Sequence, residues 1–186
     1  MPAISNVKIL ILATDGFEQS ELETPRDSLR ELGATVHVAT PGGGAIKGWD
    51  GDDWGDEADA DLALADAKAD DYDALVLPGG QINPDKLRLE PAAIELIQSF
   101  EKAGKLIAAI CHAPWLLIEA GLAEGREMTS YESIRTDLAN AGAKVVDRSV
   151  VFDRGIVTSR KPDDLEDFVS RIVDELQAAD SSRSAA

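Results

Sequence analysis

Apolar residues come along this chain in short, nearly unbroken runs, each closed by a turn and followed by a stretch with helical spacing. Residues 7–13, 34–39, 73–77 and 105–110 are such runs, rich in Val, Ile, Leu and Ala. Runs of this length and content predict strands buried on both faces. Between the first two, residues 18–32 carry an amphipathic helical pattern that Gly33 closes. The opening is therefore β-α-β, which demands a right-handed crossover and a parallel pair. Pro91 opens a second helix with Ile94, Ile97 and Phe100 on one face, ended by Gly104. Further on, the spacing predicts a short helix over 134–140, strands at 144–147, 150–152 and 156–158, and a last amphipathic helix from Pro162 through Phe168, Ile172 and Leu176. Asp153-Arg-Gly suits a hairpin turn between the last two strands. The sum is an α/β fold: a mostly parallel sheet with helices on both faces, in one domain over residues 1–179. Residues 180–186 are small and polar, with nothing to bury, and are expected to form a disordered tail.

One region breaks this alternation. Residues 41–71 hold a triple-glycine loop, seven acids between Asp50 and Asp61, and only short strand-like pieces. We expect a small antiparallel excursion at a sheet edge. The spacing of Asp50, Asp52, Asp53 and Asp56 hints at a calcium loop, but Trp54 occupies a ligand position and no distal glutamate follows, so a solvated acidic loop is the better reading.

The most informative stretch is the fourth strand and the turn at its end. Its apolar run stops at Cys111, the one cysteine of the chain; His112 comes next, and Pro114 marks the first turn of a helix that Gly121 ends. A cysteine on such a strand-to-helix turn stands at the carboxyl end of a parallel strand, where open α/β sheets place their ligands. The turn geometry exposes a nucleophile and aims backbone N–H groups at it, so an ionised, reachable sulfur is expected. His112 could act as its base if the ring folds back toward the sulfur. Glu18, in the loop after the first strand, would reach the same sheet edge and could share a proton with the thiol. Glu21 and Glu23 read as solvated helix positions, and His37, inside a strand, as structural. Pro78-Gly-Gly80 brings bare backbone N–H groups to the same edge, a place for an oxyanion.

Composition narrows the partners. The 186 residues carry 35 acids against 18 bases, a formal charge of -17, which disfavours nucleic acid and anionic membranes because both call for a basic surface. A lone cysteine forms no internal disulfide, no signal-like segment opens the sequence, and no apolar stretch approaches a membrane span; a cytoplasmic location is expected. Nothing in the pattern calls for a metal or a cofactor.

The run Ala109-Ile-Cys-His-Ala-Pro114, taken in order with Gly16-Phe-Glu18, Leu75-Val-Leu-Pro-Gly-Gly80, Thr129-Ser-Tyr131, Ala141-Gly142 and Ser159-Arg-Lys-Pro-Asp-Asp-Leu165, resembles the DJ-1/PfpI superfamily, in particular its PfpI-type protease/amidase branch. The resemblance implies a flavodoxin-like three-layer sandwich with Cys111 as nucleophile on a strained elbow, His112 as general base and Glu18 as the acid bonded to the thiol. It implies an oxyanion hole from the backbone of Gly80 and His112, and Tyr131 lining the substrate pocket. In PfpI-type members an acid after the Pro-Gly-Gly turn reaches the histidine of a neighbouring subunit; Asp85 is the nearest match, one methylene shorter than the family's glutamate and in a longer loop. Ala113 replaces a usual glycine. The histidine and glutamate of glutamine amidotransferases have no counterpart here.

Two functions arise as expectations. The first is a stress-associated cysteine hydrolase acting on a carbonyl, either a peptide or amide bond or a reactive aldehyde and its adducts, in the manner of a glyoxalase or deglycase. The second is an oxidation-sensing, chaperone-like protein that uses Cys111 without hydrolysis. A homo-oligomer is expected in either case, with Trp49 and Trp54 offering apolar contact surface.

Overall fold

The structure is a computed structural model that describes residues 4–184. Its central sheet has seven strands: β1 (Lys8–Leu12), β3 (Thr35–Thr40), β6 (Leu62–Ala63), β7 (Ala74–Leu77), β8 (Leu106–Ile110), β11 (Val150–Asp153) and β12 (Ile156–Ser159). Their spatial order is β11-β12-β8-β7-β1-β3-β6, and every pairing is parallel except the β11–β12 hairpin. That hairpin turns through Arg154 (φ 48) and Gly155 (φ 83), two successive left-handed residues that match the right-handed twist of the strands.

Side-chain alternation along the strands divides the core in two. Ile9, Ile11, Val76, Ala108 and Ile110 face α1 (Gln19–Glu31) and α6 (Leu165–Ser184), meeting Leu22, Leu29, Phe168 and Ile172. Leu10, Leu12, Leu75, Leu77 and Ala109 face the other way, onto Ile97 and Phe100 of α3 (Pro91–Lys102) and Leu116 and Leu117 of α4 (Pro114–Glu119). The short helix expected over 134–140 is α5 (Arg135–Asn140), which buries Leu138 in this second layer. A strand with both faces covered has no polar side, which is why these strands read as continuous apolar runs. The result is the flavodoxin-like three-layer sandwich that the sequence led us to expect.

The acidic region forms a separate three-stranded sheet. β4 (Ile46–Asp50) and β5 (Asp53–Ala58) make an antiparallel hairpin, and β2 (Phe17–Glu18) adds to β4 in parallel. Trp49 and Trp54 stack edge to face across it at 5.5 Å, with Trp54 46% exposed. His37 is structural, its Nδ1 within 3.0 Å of the Tyr72 hydroxyl.

Three details differ from expectation. The segment after Pro-Gly-Gly, read as a loop, contains the helix α2 (Ile82–Leu87). The strand expected at 144–147 is only β10 (Lys144–Val145), which leaves the main sheet to pair in parallel with β9 (Glu127–Met128). And α6 runs on to Ser184, past Asp180, where a disordered tail was expected; residues 185–186 lie outside the described residues. Once Phe168, Ile172 and Leu176 seat a helix, each added residue gains a hydrogen bond without a new nucleation cost. Ser181 Oγ donates to the Gln177 carbonyl at 2.9 Å in this last stretch.

The chain leaves β1 for β3 on one side and returns to β7 on the other, so the strand order reverses beside β1. A crevice opens at such a switch point, at the carboxyl ends of the strands. One buried side chain fixes its floor. Asn83, fully buried in α2, accepts from the Thr14 N–H at 2.8 Å and donates to the carbonyls of Pro78 and Gly79 at 2.8 and 3.1 Å. It ties the loop after β1 to the turn after β7. Asn83→Ala would leave these backbone groups unpaired in a dry site and should cost about 2–3 kcal/mol; urea unfolding midpoints at constant slope check this.

Candidate functional site

Cys111 is the first residue after β8 and holds φ 64, a left-handed conformation that costs a non-glycine residue roughly 1–3 kcal/mol. Both of its backbone groups are locked. Its N–H donates to the Ser159 carbonyl at 3.1 Å, at the end of β12, and its carbonyl accepts from the Tyr131 N–H at 2.8 Å. The strained elbow is therefore clamped from two flanking segments, and the sulfur is aimed back toward the turn after β7. Ala113, in place of the usual glycine, has φ -58, an ordinary conformation for alanine, and is fully buried.

The turn after β7 meets the elbow at very close range. A Cβ on Gly79 would lie 2.6 Å from the Cys111 Cβ and 2.5 Å from Glu21 Oε2; one on Gly80, at φ 75, would lie 2.5 Å from the Gly16 carbonyl. Only glycine fits either position. The close approach lets the backbone N–H groups of Gly80 and His112 both point at the Cys111 sulfur, where they favour its anion.

The acid beside the sulfur is Glu21, not Glu18. Glu21 is completely buried, its Oε2 accepts from the Gly79 N–H at 2.9 Å, and its carboxyl lies against the Cys111 thiol. The carboxyl also faces the Gly80 N–H. Glu18 stands at the start of α1, only partly buried. Its carboxylate takes a long 3.5 Å bond from Ser20 Oγ, and its strand pairs with Trp49 in the small sheet. Helix geometry explains the exchange. Positions 21, 22, 25 and 29 share the inward face of α1, so Glu21 lies on the same stripe as Leu22, Pro25 and Leu29, while Glu18 precedes the first turn. An acid in register with an apolar stripe was the available signal. Glu23, expected to be solvated, is partly exposed and 4.0 Å from Arg26.

Burial dominates the electrostatics of this pair. The Glu21 carboxyl is pushed up to about 8, first by desolvation and then by the charge of Glu18. The Cys111 thiol is also driven well above its ordinary value, by desolvation first and by the Glu21 charge second, against the smaller opposing pull of the two N–H groups. The sequence pointed to an ionised sulfur; in the structure burial, with Cys111 only 5% exposed, works against the anion, while the N–H groups of Gly80 and His112 work for it.

His112 folds back as a base must. Its Nδ1 lies 3.1 Å from the Cys111 sulfur and its Nε2 lies 3.1 Å from Ser133 Oγ, in the 3-10 turn Glu132–Ile134. One ring face stacks on Tyr131 at 4.7 Å, and Trp115 leans against it at 5.4 Å. Burial lowers the proton affinity of the imidazole, favouring the neutral ring. Ser133 carries no chemistry-bearing motif and escaped the sequence reading. Tyr131 is at the site as expected, and also lines a cavity of about 320 Å³ with Arg135, Asp147, Arg160 and Lys161. Asp85 is exposed on α2, and among the described residues no bond joins it to His112. Among the described residues no group of three or more His, Cys, Asp or Glu is placed to hold a metal ion, and no helix is long and apolar enough to cross a membrane.

A doubly covered parallel sheet with a strained cysteine elbow at its switch point, a histidine on the sulfur and a carboxyl beneath it defines a class of α/β proteins built around one thiol. The chain belongs to the DJ-1/PfpI family, which matches residues 7–175. It is 41% identical over 167 residues to the deglycase PfpI of Pyrococcus furiosus, covering 90% of this chain and 98% of the relative. It is also 41% identical over 162 residues to YraA of Bacillus subtilis, whose name proposes a cysteine protease, covering 87% and 93%. Among solved structures, Drosophila melanogaster DJ-1beta superposes with a TM-score of 0.83 at 34% identity, covering 95% of this chain and 91% of that one.

The Glu21 assignment makes a prediction for stability. An acid whose folded pKa is raised from 4.5 to about 8 contributes stability that is full below about 4.5 and is lost as pH rises to about 8. The loss is on the order of a few kcal/mol. Glu21→Gln mimics the protonated carboxyl, its amide oxygen accepting from Gly79 and its NH2 facing the sulfur. Urea titrations of this variant should show a flat profile across that window where the parent slopes downward, and its thiol should alkylate with iodoacetamide at lower pH because the competing charge is gone.

Proposed function

We propose that this protein is a cysteine-dependent hydrolase of small carbonyl compounds, of the glyoxalase or deglycase kind. The observation that carries the reading is an almost sealed cysteine sulfur with an imidazole nitrogen 3.1 Å away. Exposures of 5% for Cys111 and 8% for His112 favour a small aldehyde or its adduct over a polypeptide. The relative named a deglycase supports the same chemistry.

In this mechanism the Cys111 sulfur adds to the carbonyl carbon while its proton passes to His112 Nδ1. A C–S bond forms and the carbonyl oxygen becomes an oxyanion, held by the N–H groups of Gly80 and His112. With a 2-oxoaldehyde, the proton returns from Nδ1 to that oxygen and gives a hemithioacetal; its C1 proton is then moved by way of an enediol to C2, leaving a 2-hydroxyacyl thioester that water cleaves to a 2-hydroxy acid and the free thiol. With an acyl substrate, the oxyanion collapses, the bond to the leaving amine breaks, and the amine takes the Nδ1 proton; water then cleaves the thioester and restores the thiol. Glu21 keeps its own proton near neutral pH, so no second anion opposes attack. Tyr131, stacked on the His112 ring, borders the reacting carbon.

The imidazole held on the sulfur also weighs against the oxidation-sensing alternative, which needs the thiol and an acid but no base. A peptidase reading is favoured only by the name of YraA.

Cys111→Ser should lower the turnover of methylglyoxal and of glycated amino acids by about a thousandfold or more, with the fold retained by circular dichroism. An undiminished rate in that variant, or a parent that consumes neither substrate, overturns the reading; cleavage of fluorogenic peptide amides in place of aldehydes would transfer it to the peptidase class.

A further inference from the structure

We infer that Ser133 is the positioning residue of His112, completing a Cys111–His112–Ser133 relay within a single chain. The inference rests on the proposed hydrolase chemistry and adds to it the group that orients the base. Each edge of the imidazole has one partner: the Cys111 sulfur on Nδ1 and the Ser133 hydroxyl on Nε2, both at 3.1 Å. Tyr131 stacks on one ring face and Trp115 lies tilted nearby, both uncharged, so the serine hydroxyl is the polar group on the Nε2 edge that can set which nitrogen carries the proton. To receive the thiol proton, Nδ1 must present its lone pair. Nε2 then bears the hydrogen and donates it to Ser133 Oγ. When the proton moves, the imidazolium keeps both bonds, with Nδ1–H toward the reacting atoms and Nε2–H still on the serine.

The placement of Ser133 is tied to the nucleophile through the main chain. The Tyr131 N–H donates to the Cys111 carbonyl at 2.8 Å, and the Ile134 N–H closes the 3-10 turn onto the Tyr131 carbonyl at 3.2 Å. Ser133 lies between these two bonds, so the strained elbow and the orienting hydroxyl move as one body. Ile134, 1% exposed, anchors the turn in the core, while Ser133 itself is exposed and contributes little packing. The resemblance would bring Asp85 of a neighbouring subunit toward this histidine; within one chain the Ser133 hydroxyl already meets Nε2.

A neutral hydroxyl does different work from a carboxylate. It holds the tautomer without adding a charge that would make the imidazole retain the proton it must return. With the ring already disposed to be neutral by burial, the proton taken from Cys111 is passed on rather than kept.

The test combines spectroscopy with kinetics. With only two histidines in the chain, 15N-labelled imidazole resonances are readily assigned to His112 and His37. The resting protein should show His112 protonated on Nε2. Ser133→Ala should turn this into a mixture of tautomers, lower kcat about tenfold with KM within about twofold, and leave the melting temperature unchanged. Ser133→Thr, which keeps the hydroxyl, should restore both the tautomer and most of the rate. A resting ring protonated on Nδ1, or a Ser133→Ala protein with parental tautomer and kcat, would overturn the inference. So would the same loss arising from Asp85→Asn and not from Ser133→Ala, which would give Nε2 to the neighbour's acid. The tautomer readout needs no turnover, so it stands or falls separately from the hydrolase reading.

Discussion

A carboxyl and a thiol share one dry space at the carboxyl ends of three strands, and neither can ionise there without cost. Glu21 rises from the first turns of α1, Cys111 descends from the end of β8, and the bare backbone of Gly79 and Gly80 passes between them from β7. Everything else about the site answers to that crowding. The two glycines are needed because any Cβ would strike the sulfur-bearing residue or the neighbouring backbone. Asn83 is needed because the loops brought so close would otherwise leave backbone groups unpaired. The left-handed backbone of Cys111 sets the sulfur against the carboxyl, and the bonds to Ser159 and Tyr131 hold it there.

The same crowding shapes reactivity. Backbone dipoles at an elbow favour a thiolate, but they act on a sulfur removed from water, and desolvation is the larger effect. A sulfur so buried calls for a base to take its proton. His112 lies along it, with one ring face stacked on Tyr131 and Trp115 tilted nearby. The strain at Cys111, the pairing with Glu21 and the hydroxyl on Nε2 are parts of one arrangement, each resting on the loops that the sheet brings to its edge.

Much of this was readable in one dimension. Strands buried on both faces announce themselves as unbroken apolar runs, and glycine and proline mark where they end, so the sheet, its parallel character and the place of Cys111 at a strand-to-helix turn came directly from the pattern. Identity of the acid did not. Glu18 and Glu21 stand three residues apart near the start of one helix, and which of them enters the core depends on where the first helical residue falls and how α1 is rolled against the sheet. That roll is set by Leu22 and Leu29 meeting β1, β3 and α6, contacts between segments far apart in the chain. Asn83 and Ser133 were silent for the same reason, being ordinary polar residues whose importance comes from groups 69 and 21 residues away.

Local chemistry thus dictates the elements: alternation, turn residues and the lone cysteine after a buried strand specify an α/β sheet with a thiol at its crest. Protonation state belongs to the assembled molecule. A pKa measures the work of placing charge in a particular surrounding, and here the surrounding is made by strands β1, β7 and β8 arriving at one edge. The sequence supplies a cysteine, a histidine and several acids; packing chooses Glu21 from among them, removes the water, and thereby sets what it costs to ionise the sulfur.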